Sequence, residues 1–305
     1  MTWDGKLSVV VCTRDRAMDL VACLRSIGEQ SRQPDEVIVV IGSAGSIDRE
    51  ACERVLKCAL IVAESFEPNI SKSRNVGLGI AKGEFVVFID DDAVARGGWV
   101  EGYVKAIEQH PEAWAFGGDV FDSRTSPMEA EFRFGGISVY GKQIEVNRSD
   151  DGSLPSGFVR NVKGCNFVVH RGRVMGIGGF DPFFAFAFDE SDLMVSIHEA
   201  GGDIVHVREA IVDHAHTPGH FRSASRFDRD WRVEFASHTM FMLKHAHGMR
   251  RVISWAVILR RCCKFLVWML WGVVSNQTGF RRGVRSLGGA VGGVRLASRS
   301  AMLRR

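Results

Sequence analysis

Short apolar runs alternate with helix-like segments over residues 1–120. Leu7–Cys12, Val37–Ile41 and Phe85–Ile89 are uninterrupted apolar stretches rich in β-branched residues, which is typical of strands buried on both faces. Asp19–Glu29 and Ser71–Ala81 lie between them, with their apolar residues at helical spacing. The order strand, helix, strand, helix, strand indicates a parallel sheet that is covered by helices on both faces.

The pattern becomes looser and more glycine-rich from about Phe116 to Arg173. We expect strands near Gly117–Phe121 and Asn166–His170, and a helix over Ser191–Ala200 that a pair of glycines ends. Ile204–Val207 and Ala210–Val212 have the apolar character of closing strands. These elements predict that residues 1–248 form a single α/β unit.

The C-terminal segment differs from the rest of the chain in charge. From Phe235 to Arg305 there is no Asp or Glu, although 13 of the 39 Lys and Arg residues lie there, whereas residues 1–234 carry 26 basic and 36 acidic side chains. At 100° per residue, one stripe of a helix over residues 249–275 holds Arg250, Ser254, Arg261, Lys264 and Ser275. We therefore predict that residues 249–305 form a basic amphipathic helical tail.

Two interpretations of this tail remain open. Phe265–Val274 is its longest apolar run, about half of the ~20 residues that a membrane span needs. The helix could lie in a membrane interface, where Trp255, Trp268 and Trp271 would be favourable and anionic lipids would attract the basic residues. It could instead pack on the body of the protein with its basic stripe in solvent.

Cysteine usage and the first residues predict the compartment. The seven cysteines are scattered without C-x-x-C spacing, which argues against a disulfide framework and against a zinc site. The N-terminal residues lack a basic region followed by an apolar stretch of secretory length. We expect a cytoplasmic protein that attaches peripherally to the inner face of the cell membrane.

Three consecutive carboxylates follow the third apolar run, in the stretch GEFVVFIDDDAV. Ligands of parallel sheets bind beyond the carboxyl ends of the strands, and Asp90, Asp91 and Asp92 lie at such an end. Carboxylates in a D-x-D arrangement can share Mg²⁺ or Mn²⁺ whose coordination is completed by substrate phosphates. The alternative is an acidic loop that caps a helix starting near Gly98.

Five segments, in the right order, resemble the family 2 glycosyltransferases, which are inverting enzymes of the GT-A fold. The resemblance covers roughly Leu7 to Gly248. Its segments are SVVVCTRDR (Ser8–Arg16), LRSIGEQSRQPDEVIVV (Leu24–Val40), NISKSRNVGLGIAKGEFVVFIDDD (Asn69–Asp92), GCNFVVHRGRVMGIGGFDPFF (Gly164–Phe184) and FDESDLMVSIHEAG (Phe188–Gly201).

The resemblance implies an architecture. We expect a Rossmann-like, mostly parallel central sheet with helices on both faces, in which residues 1–120 form the nucleotide-binding half and residues 121–248 the acceptor-side half. The amphipathic tail, 249–305, would follow this domain.

The resemblance also assigns donor-binding and metal-binding residues. Thr13, Arg14 and Asp15 would line the nucleotide, and Arg74 would approach the base or the diphosphate, or pair with the acidic loop.

Within the acidic loop, Asp92 would be the principal ligand of Mg²⁺ or Mn²⁺, and Asp90 would face the ribose or the metal. Asp91 would lie beside the donor or only hold the loop. His214 matches a histidine that can complete the metal site, and His216 competes for this role.

The second acidic segment would supply the catalytic base. Inverting transfer needs a carboxylate that takes the proton of the acceptor hydroxyl. The resemblance selects Glu190. Asp192, which could instead cap the following helix, and Asp189 are the alternatives.

One departure from the family pattern leaves the donor open. The family usually carries an Asp just after the second strand, where this chain has Ile41 or Gly42. UDP, dTDP and GDP therefore all remain candidates. We expect hexosyl-type transfer to a glycan or glycolipid acceptor in cell-envelope biogenesis, and no nucleic-acid partner.

Two other functions compete with glycosyl transfer. A nucleotidyltransferase would need a glycine-rich loop after the first strand, and CTRDRAMDL contains no glycine. A degenerate, non-catalytic membrane-associated binding module would not need both acidic segments.

Overall fold

The computed structural model describes residues 3, 5–45, 47–122, 134–146, 153–220, 229–275 and 277–304. Strands and helices alternate in its N-terminal part. They are β1 (Leu7–Thr13), α1 (Ala17–Gly28), β2 (Glu36–Ile41), α2 (Arg49–Val55), β3 (Ala59–Glu64), α3 (Ile70–Ile80) and β4 (Phe85–Asp90).

Shorter strands and a group of C-terminal helices follow. The strands and helices of the middle part are β5 (Ala93–Ala95), α4 (Trp99–Gln109), β6 (Ala115–Asp122), β7 (Phe134–Ser138), β8 (Gln143–Val146), β9 (Phe158–Asn161), β10 (Asn166–His170), α5 (Arg171–Gly176), α6 (Asp189–Glu199) and β11 (Ile204–His214). The C-terminal helices are α7 (Trp231–His245), α8 (Met249–Val274) and α9 (Phe280–Leu303).

The central sheet has the strand order β3-β2-β1-β4-β10-β6-β11-β5. Strands β3, β2, β1 and β4 are mutually parallel, β10 is antiparallel to both of its neighbours, and β11 is parallel to β6. The predicted mostly parallel α/β sheet is therefore confirmed. Strands β7, β8 and β9 form a second, antiparallel sheet.

Two strands differ from the sequence-based expectation. The edge strand β3 was not predicted, because its residues are half-exposed and alternate weakly. The two predicted closing strands form one strand, β11, whose register with β6 shifts between Val207 and Ile211. This irregularity interrupts the apolar pattern and explains the apparent break.

A close approach of helix and sheet fixes α3, which carries Arg74. A Cβ atom on Gly77 would lie 2.4 Å from Cγ1 of Val10, so only glycine lets α3 pack this tightly on β1. Val10 is 1% exposed. The contact places the N-terminal half of α3 beside the carboxyl ends of β1 and β4, which are neighbours in the sheet.

The C-terminal helices pack on the α/β unit formed by the central sheet and its helices, and on each other. Helix α9 faces α7 with small residues, among them Gly293, whose Cβ would lie 2.3 Å from the Arg232 carbonyl oxygen. Helix α8 buries Ser254, Ile258, Phe265, Met269 and Gly272. Ser254 belongs to the predicted polar stripe, so part of that stripe faces the body. Among the residues that the structure describes, no helix combines the length and apolar character needed to cross a membrane.

Candidate active site

The acidic loop connects β4 to β5, and its three carboxylates have different surroundings. Asp90 ends β4 and is half-buried, whereas Asp91 and Asp92 lie in the turn that follows. Asp91 is fully buried and lies 2.8 Å from the guanidinium of Arg16. Burial raises the pKa of Asp91 to about 7, although Arg16 opposes the shift. Asp91 therefore has the surroundings of a residue that holds the loop.

Asp92 is held from three directions. Its carboxylate lies 3.1 Å from Arg16 and 3.0 Å from Nε2 of His214. It also accepts a hydrogen bond of 2.8 Å from the backbone N–H of Thr217. Asp92 is 4% exposed, so its orientation is fixed before any ligand binds.

Asp90, Asp92 and His214 form a group that could hold a metal ion. One ligand atom from each residue lies within 4.8 Å of the others. Two carboxylate oxygens and one imidazole nitrogen suit Mn²⁺, and also Mg²⁺ when substrate oxygens complete the site. The crowding of acidic oxygens beside His214 is therefore consistent with a divalent cation. His216 lies beside this group, with its ring centroid 4.0 Å from that of His214.

His214 is strongly coupled to its neighbours. Burial lowers its pKa, but hydrogen bonds to Asp92 and Cys165 and the charge of Asp90 outweigh burial, so that the pKa rises to about 10. Cys165, at the start of the segment GCNF, was not a predicted site residue. Its thiol is buried and touches the imidazole.

Arg74 connects the two acidic segments. Its guanidinium bonds the carboxylate of Asp189, lies 3.3 Å from Asp90 and donates a bond of 2.6 Å to the carbonyl oxygen of Gly164. The side chain is 5% exposed. It is surrounded by aromatic rings, the nearest being Phe167 at 5.3 Å from the centroid. Both roles predicted for Arg74, a fixed cation in the site and an ion-pair partner of the acidic loop, are compatible with this position.

The second acidic segment begins α6. Asp189 and Glu190 both line the pocket that Asp90 and His214 line. Burial and the neighbouring Asp189 raise the pKa of Glu190 above its usual 4.5, and Arg74 opposes the shift. Asp189 forms a salt bridge with Arg74, whereas Glu190 feels the charge of Arg74 and shares a side-chain hydrogen bond with Asp189. Glu190 is therefore the better placed of the two to accept a proton.

Asp192 does not line this pocket. Its carboxylate is 2.8 Å from Nε2 of His245 and 2.8 Å from Nζ of Lys244, both on α7. Asp192 is 2% exposed. These contacts hold α6 against α7, and they leave Asp192 without access to a substrate in the pocket.

The loop after β1 forms the other wall. Thr13 and Arg14 line the pocket, and Arg14 donates a hydrogen bond of 3.1 Å to the carbonyl oxygen of Phe66. Asp15 does not line it, and its side chain is 70% exposed and bonded by the Ser43 hydroxyl. The pocket has a volume of about 610 Å³, within the range of a small-molecule site.

Arg16 lines the same pocket and was not among the residues predicted for the site. It lies in the quoted segment Ser8–Arg16, but its pairing with Asp91 and Asp92 joins residues 75 or more positions apart. The predicted parallel sheet could have indicated this pairing. Strands β1 and β4 are parallel neighbours, so a basic residue that follows β1 lies near acidic residues that follow β4.

The comparisons with known proteins agree with this geometry. Residues 8–165 match the model of the family described as Glycosyl transferase family 2. The glucosyl-dolichyl phosphate glucuronosyltransferase of Haloferax volcanii is 28% identical over 232 residues, which are 68% of this chain and 69% of that protein. The uncharacterized glycosyltransferase YwdF of Bacillus subtilis is 32% identical over 104 residues, 34% of this chain and 38% of that protein.

Solved structures share the fold at low sequence identity. TarS of S. aureus in complex with UDP-GlcNAc has a TM-score of 0.58 at 16% identity, covering 95% of this chain and 81% of that one. GalNAc-T7 with UDP, GalNAc and Mn²⁺ has a TM-score of 0.57 at 14% identity, and the match spans 80% of this chain but only 52% of that chain. The mannosyltransferase of Pyrobaculum calidifontis with GDP-Man and Mn²⁺ has a TM-score of 0.52 at 15% identity, with 96% and 86% covered.

Proposed function

Because the chain belongs to glycosyl transferase family 2, we propose that it is an inverting, metal-dependent glycosyltransferase. It transfers a sugar from a nucleotide-sugar donor to a lipid-linked or cell-envelope glycan acceptor. The observation that carries this proposal is the single pocket that brings Asp90, His214 and Glu190 together. A site for a diphosphate and a carboxylate base are the two requirements of inverting transfer.

The donor occupies the side of the pocket formed by the loop after β1. Thr13 and Arg14 contact the nucleotide, and Asp15 orders the loop through Ser43. Arg74 is a fixed positive charge between the donor and acceptor sides. Mg²⁺ or Mn²⁺ held by Asp90, Asp92 and His214 would supply positive charge for the leaving diphosphate. Nucleotide-sugar ligands and Mn²⁺ in the structural neighbours support this assignment.

Glu190 acts as the general base. Its carboxylate takes the proton of the acceptor hydroxyl while that oxygen forms a bond to the anomeric carbon. The bond between the anomeric carbon and the diphosphate oxygen breaks on the opposite face, and the diphosphate leaves with the bonding electron pair. The raised pKa of Glu190 favours retention of the proton after transfer.

The acceptor assignment rests on a relative and on the C-terminal helices. The named relative from Haloferax volcanii acts, by its name, on a glucosyl-dolichyl phosphate, which is a sugar on a lipid phosphate. A lipid-linked acceptor would require the enzyme to work at a membrane surface. We place the protein at the inner face of the cell membrane, attached through residues 249–305.

The test compares Glu190→Gln with Glu145→Gln, a matched carboxylate-to-amide change in a residue that lines the same pocket. A thermal-shift panel of UDP-, GDP- and dTDP-sugars with and without Mn²⁺ first identifies the donor, because a ligand of the native state raises its stability. Glu190→Gln should lower turnover by at least about 100-fold and keep the donor-dependent shift.

Three results would contradict the proposal. Wild-type turnover in Glu190→Gln would show that Glu190 is not the base. A donor-induced rise in melting temperature that is the same with and without Mn²⁺ would contradict the metal site. Release of pyrophosphate from a nucleoside triphosphate and a sugar phosphate would indicate a nucleotidyltransferase instead.

A further inference from the structure

Exposed large apolar side chains are concentrated on the C-terminal helices. Among the described residues, 16 of the 21 exposed large hydrophobic residues lie on α8 and α9. Those on α8 are Met249, Val252, Ile253, Trp255, Leu259, Leu266, Val267, Leu270, Trp271 and Val274. Monomeric soluble proteins rarely leave a contiguous apolar surface of this extent in water.

Helix α8 has two apolar faces. The inner face, with Ile258, Phe265 and Met269, packs on the body; the Phe265 ring centroid lies 4.6 Å from that of Trp231 on α7. Val252, Leu259, Leu266, Leu270 and Val274 recur at intervals of seven or four residues and therefore share the outer face. They are 43–86% exposed. The 26 residues of α8 make this outer face about 39 Å long.

Helix α9, which packs against α8, carries positive charge on its exposed side. On α9, Arg281, Arg285, Arg295 and Arg299 are exposed and lie within one side of the helix. No acidic residue follows Glu234 in the sequence. A second copy of the chain on this face would bring two acid-free basic surfaces together, which is electrostatically unfavourable. An anionic lipid surface would neutralise the same charges.

We propose that the outer face of α8 and the arginines of α9 form a surface that docks on an anionic bilayer. Helix α8 lies parallel to the membrane, its outer apolar side chains enter the acyl boundary, and Trp255 and Trp271 lie at the headgroup level. This inference deepens the proposed function, since it identifies the face, the orientation of the helix and the charge of the lipid. It explains why a helix unable to span a membrane exposes so much apolar surface.

The experiment is flotation of the full chain with vesicles of phosphatidylcholine alone or mixed with phosphatidylglycerol. Wild type should float with the mixed vesicles. The triple variant Leu259→Glu, Leu266→Glu, Leu270→Glu should bind at least about 100-fold more weakly, because it places charges in the apolar boundary. Met175→Glu is the control, since Met175 is 46% exposed on α5, close to the 43% of Leu266.

A second variant separates charge from apolar insertion. Changing Arg281, Arg285, Arg295 and Arg299 to Gln should weaken binding to the anionic vesicles by about fivefold per residue at low salt. Binding to pure phosphatidylcholine should not change. Circular dichroism and thermal midpoints check that both variants fold, which is expected because all substituted side chains are exposed.

Flotation of the triple variant at the wild-type level would overturn the proposal. So would a wild-type dimer in sedimentation equilibrium that the triple variant converts to a monomer, because the face would then be a subunit interface. Donor hydrolysis by the soluble protein distinguishes the two proposals. If the triple variant no longer floats but still hydrolyses the donor, the substitutions have affected docking and not the enzymatic function. If the wild type floats but does not hydrolyse the donor, the proposed enzymatic function is contradicted and the docking surface is not.

Discussion

Arg74→Lys is the substitution that tests most directly how the site is assembled. Lysine keeps the positive charge but has one nitrogen, whereas Arg74 uses two nitrogens to reach Asp189, Asp90 and the Gly164 carbonyl. Lysine can retain one of these three partners at good geometry. A hydrogen bond that involves a charged group contributes about 1.5–3 kcal/mol. Loss of two such bonds in a site that is 95% buried should lower the free energy of unfolding by about 3 kcal/mol or more.

The chain provides a matched control in Arg173→Lys. Arg173 also has three oxygen partners, two backbone carbonyls and the carboxylate of Glu112, and its guanidinium lies 6.0 Å from the Trp114 ring. Its side chain is 26% exposed and that of Glu112 is 89% exposed, so solvent replaces lost contacts and the change should cost less than about 1 kcal/mol.

Equilibrium unfolding in urea measures the free energy of unfolding of both variants. An unchanged slope m, the dependence of that free energy on urea concentration, checks that unfolding remains two-state. If Arg74→Lys and Arg173→Lys lose the same stability, Arg74 is not the buried connection between the acidic segments, and the reasoning fails. The rate at which nucleoside diphosphate is produced during turnover should also fall in Arg74→Lys and stay near the wild-type rate in Arg173→Lys.

Three further predictions address the base, the metal site and the C-terminal packing. Burial and Asp189 raise the pKa of Glu190 above its usual 4.5, and a general base works only when it is ionised. We therefore expect kcat to rise with pH through a range above 4.5. An acid limb of the pH–rate profile at or below pH 4.5 would contradict this. Asp92→Asn removes one of three ligand atoms, so calorimetry should show Mn²⁺ binding weakened by at least about 100-fold; unchanged affinity would exclude the site. Gly293→Ala places a methyl group against the backbone of α7 and should cost about 1–3 kcal/mol, whereas Gly288→Ala, with open space around it, should stabilise by up to about 1 kcal/mol. If the thermal midpoints of Gly293→Ala and Gly288→Ala shifted in the same direction from the wild-type midpoint, these two predictions would be contradicted.

The sequence was sufficient for the elements whose burial is uniform. Strands β1, β2 and β4 each contain an uninterrupted buried apolar run because both faces of the sheet are covered, and this pattern is visible without knowledge of their partners. The acidic loop could be located for the same reason, since it directly follows such a strand. The roles predicted inside the loop came from the family resemblance, and the contacts of Asp91 with Arg16 and of Asp92 with His214 are compatible with them.

Residues whose role depends on a distant partner could not be assigned this way. Asp192 looks like a helix cap or a base in the sequence, and only the fold brings Lys244 and His245 to its carboxylate. Burial lowers the pKa of His245, but hydrogen bonds to Asp192 and Glu199 outweigh burial and raise it. An imidazole whose pKa is raised therefore lies beside the helix that carries Glu190, through a contact between residues 53 positions apart in sequence.

The faces of α8 show a different limit. A periodicity of 3.6 residues reveals which residues share a face, but α8 is apolar on two sides, and the pattern does not say which side the body covers. The packing of Phe265 against Trp231 and of Ser254 toward the body decides it. The sequence left open whether the apolar residues or the basic stripe would be exposed, and the exposed outer face is largely apolar.

Helix α7 also contacts the turn that leads into Glu190, so the C-terminal helices are connected to the candidate active site. Ala187 and Phe188, directly before α6, have φ values of 63° and 65°, a left-handed conformation that costs non-glycine residues about 1–2 kcal/mol each. Phe188 packs against His238 and Phe241 of α7, with ring centroids 5.1 Å apart in both pairs, and the Ser237 hydroxyl donates to the Phe186 carbonyl oxygen at 2.9 Å. These contacts offset the strain. Because α9 packs on α7, we expect a displacement of α9 to be transmitted to the turn that precedes Glu190.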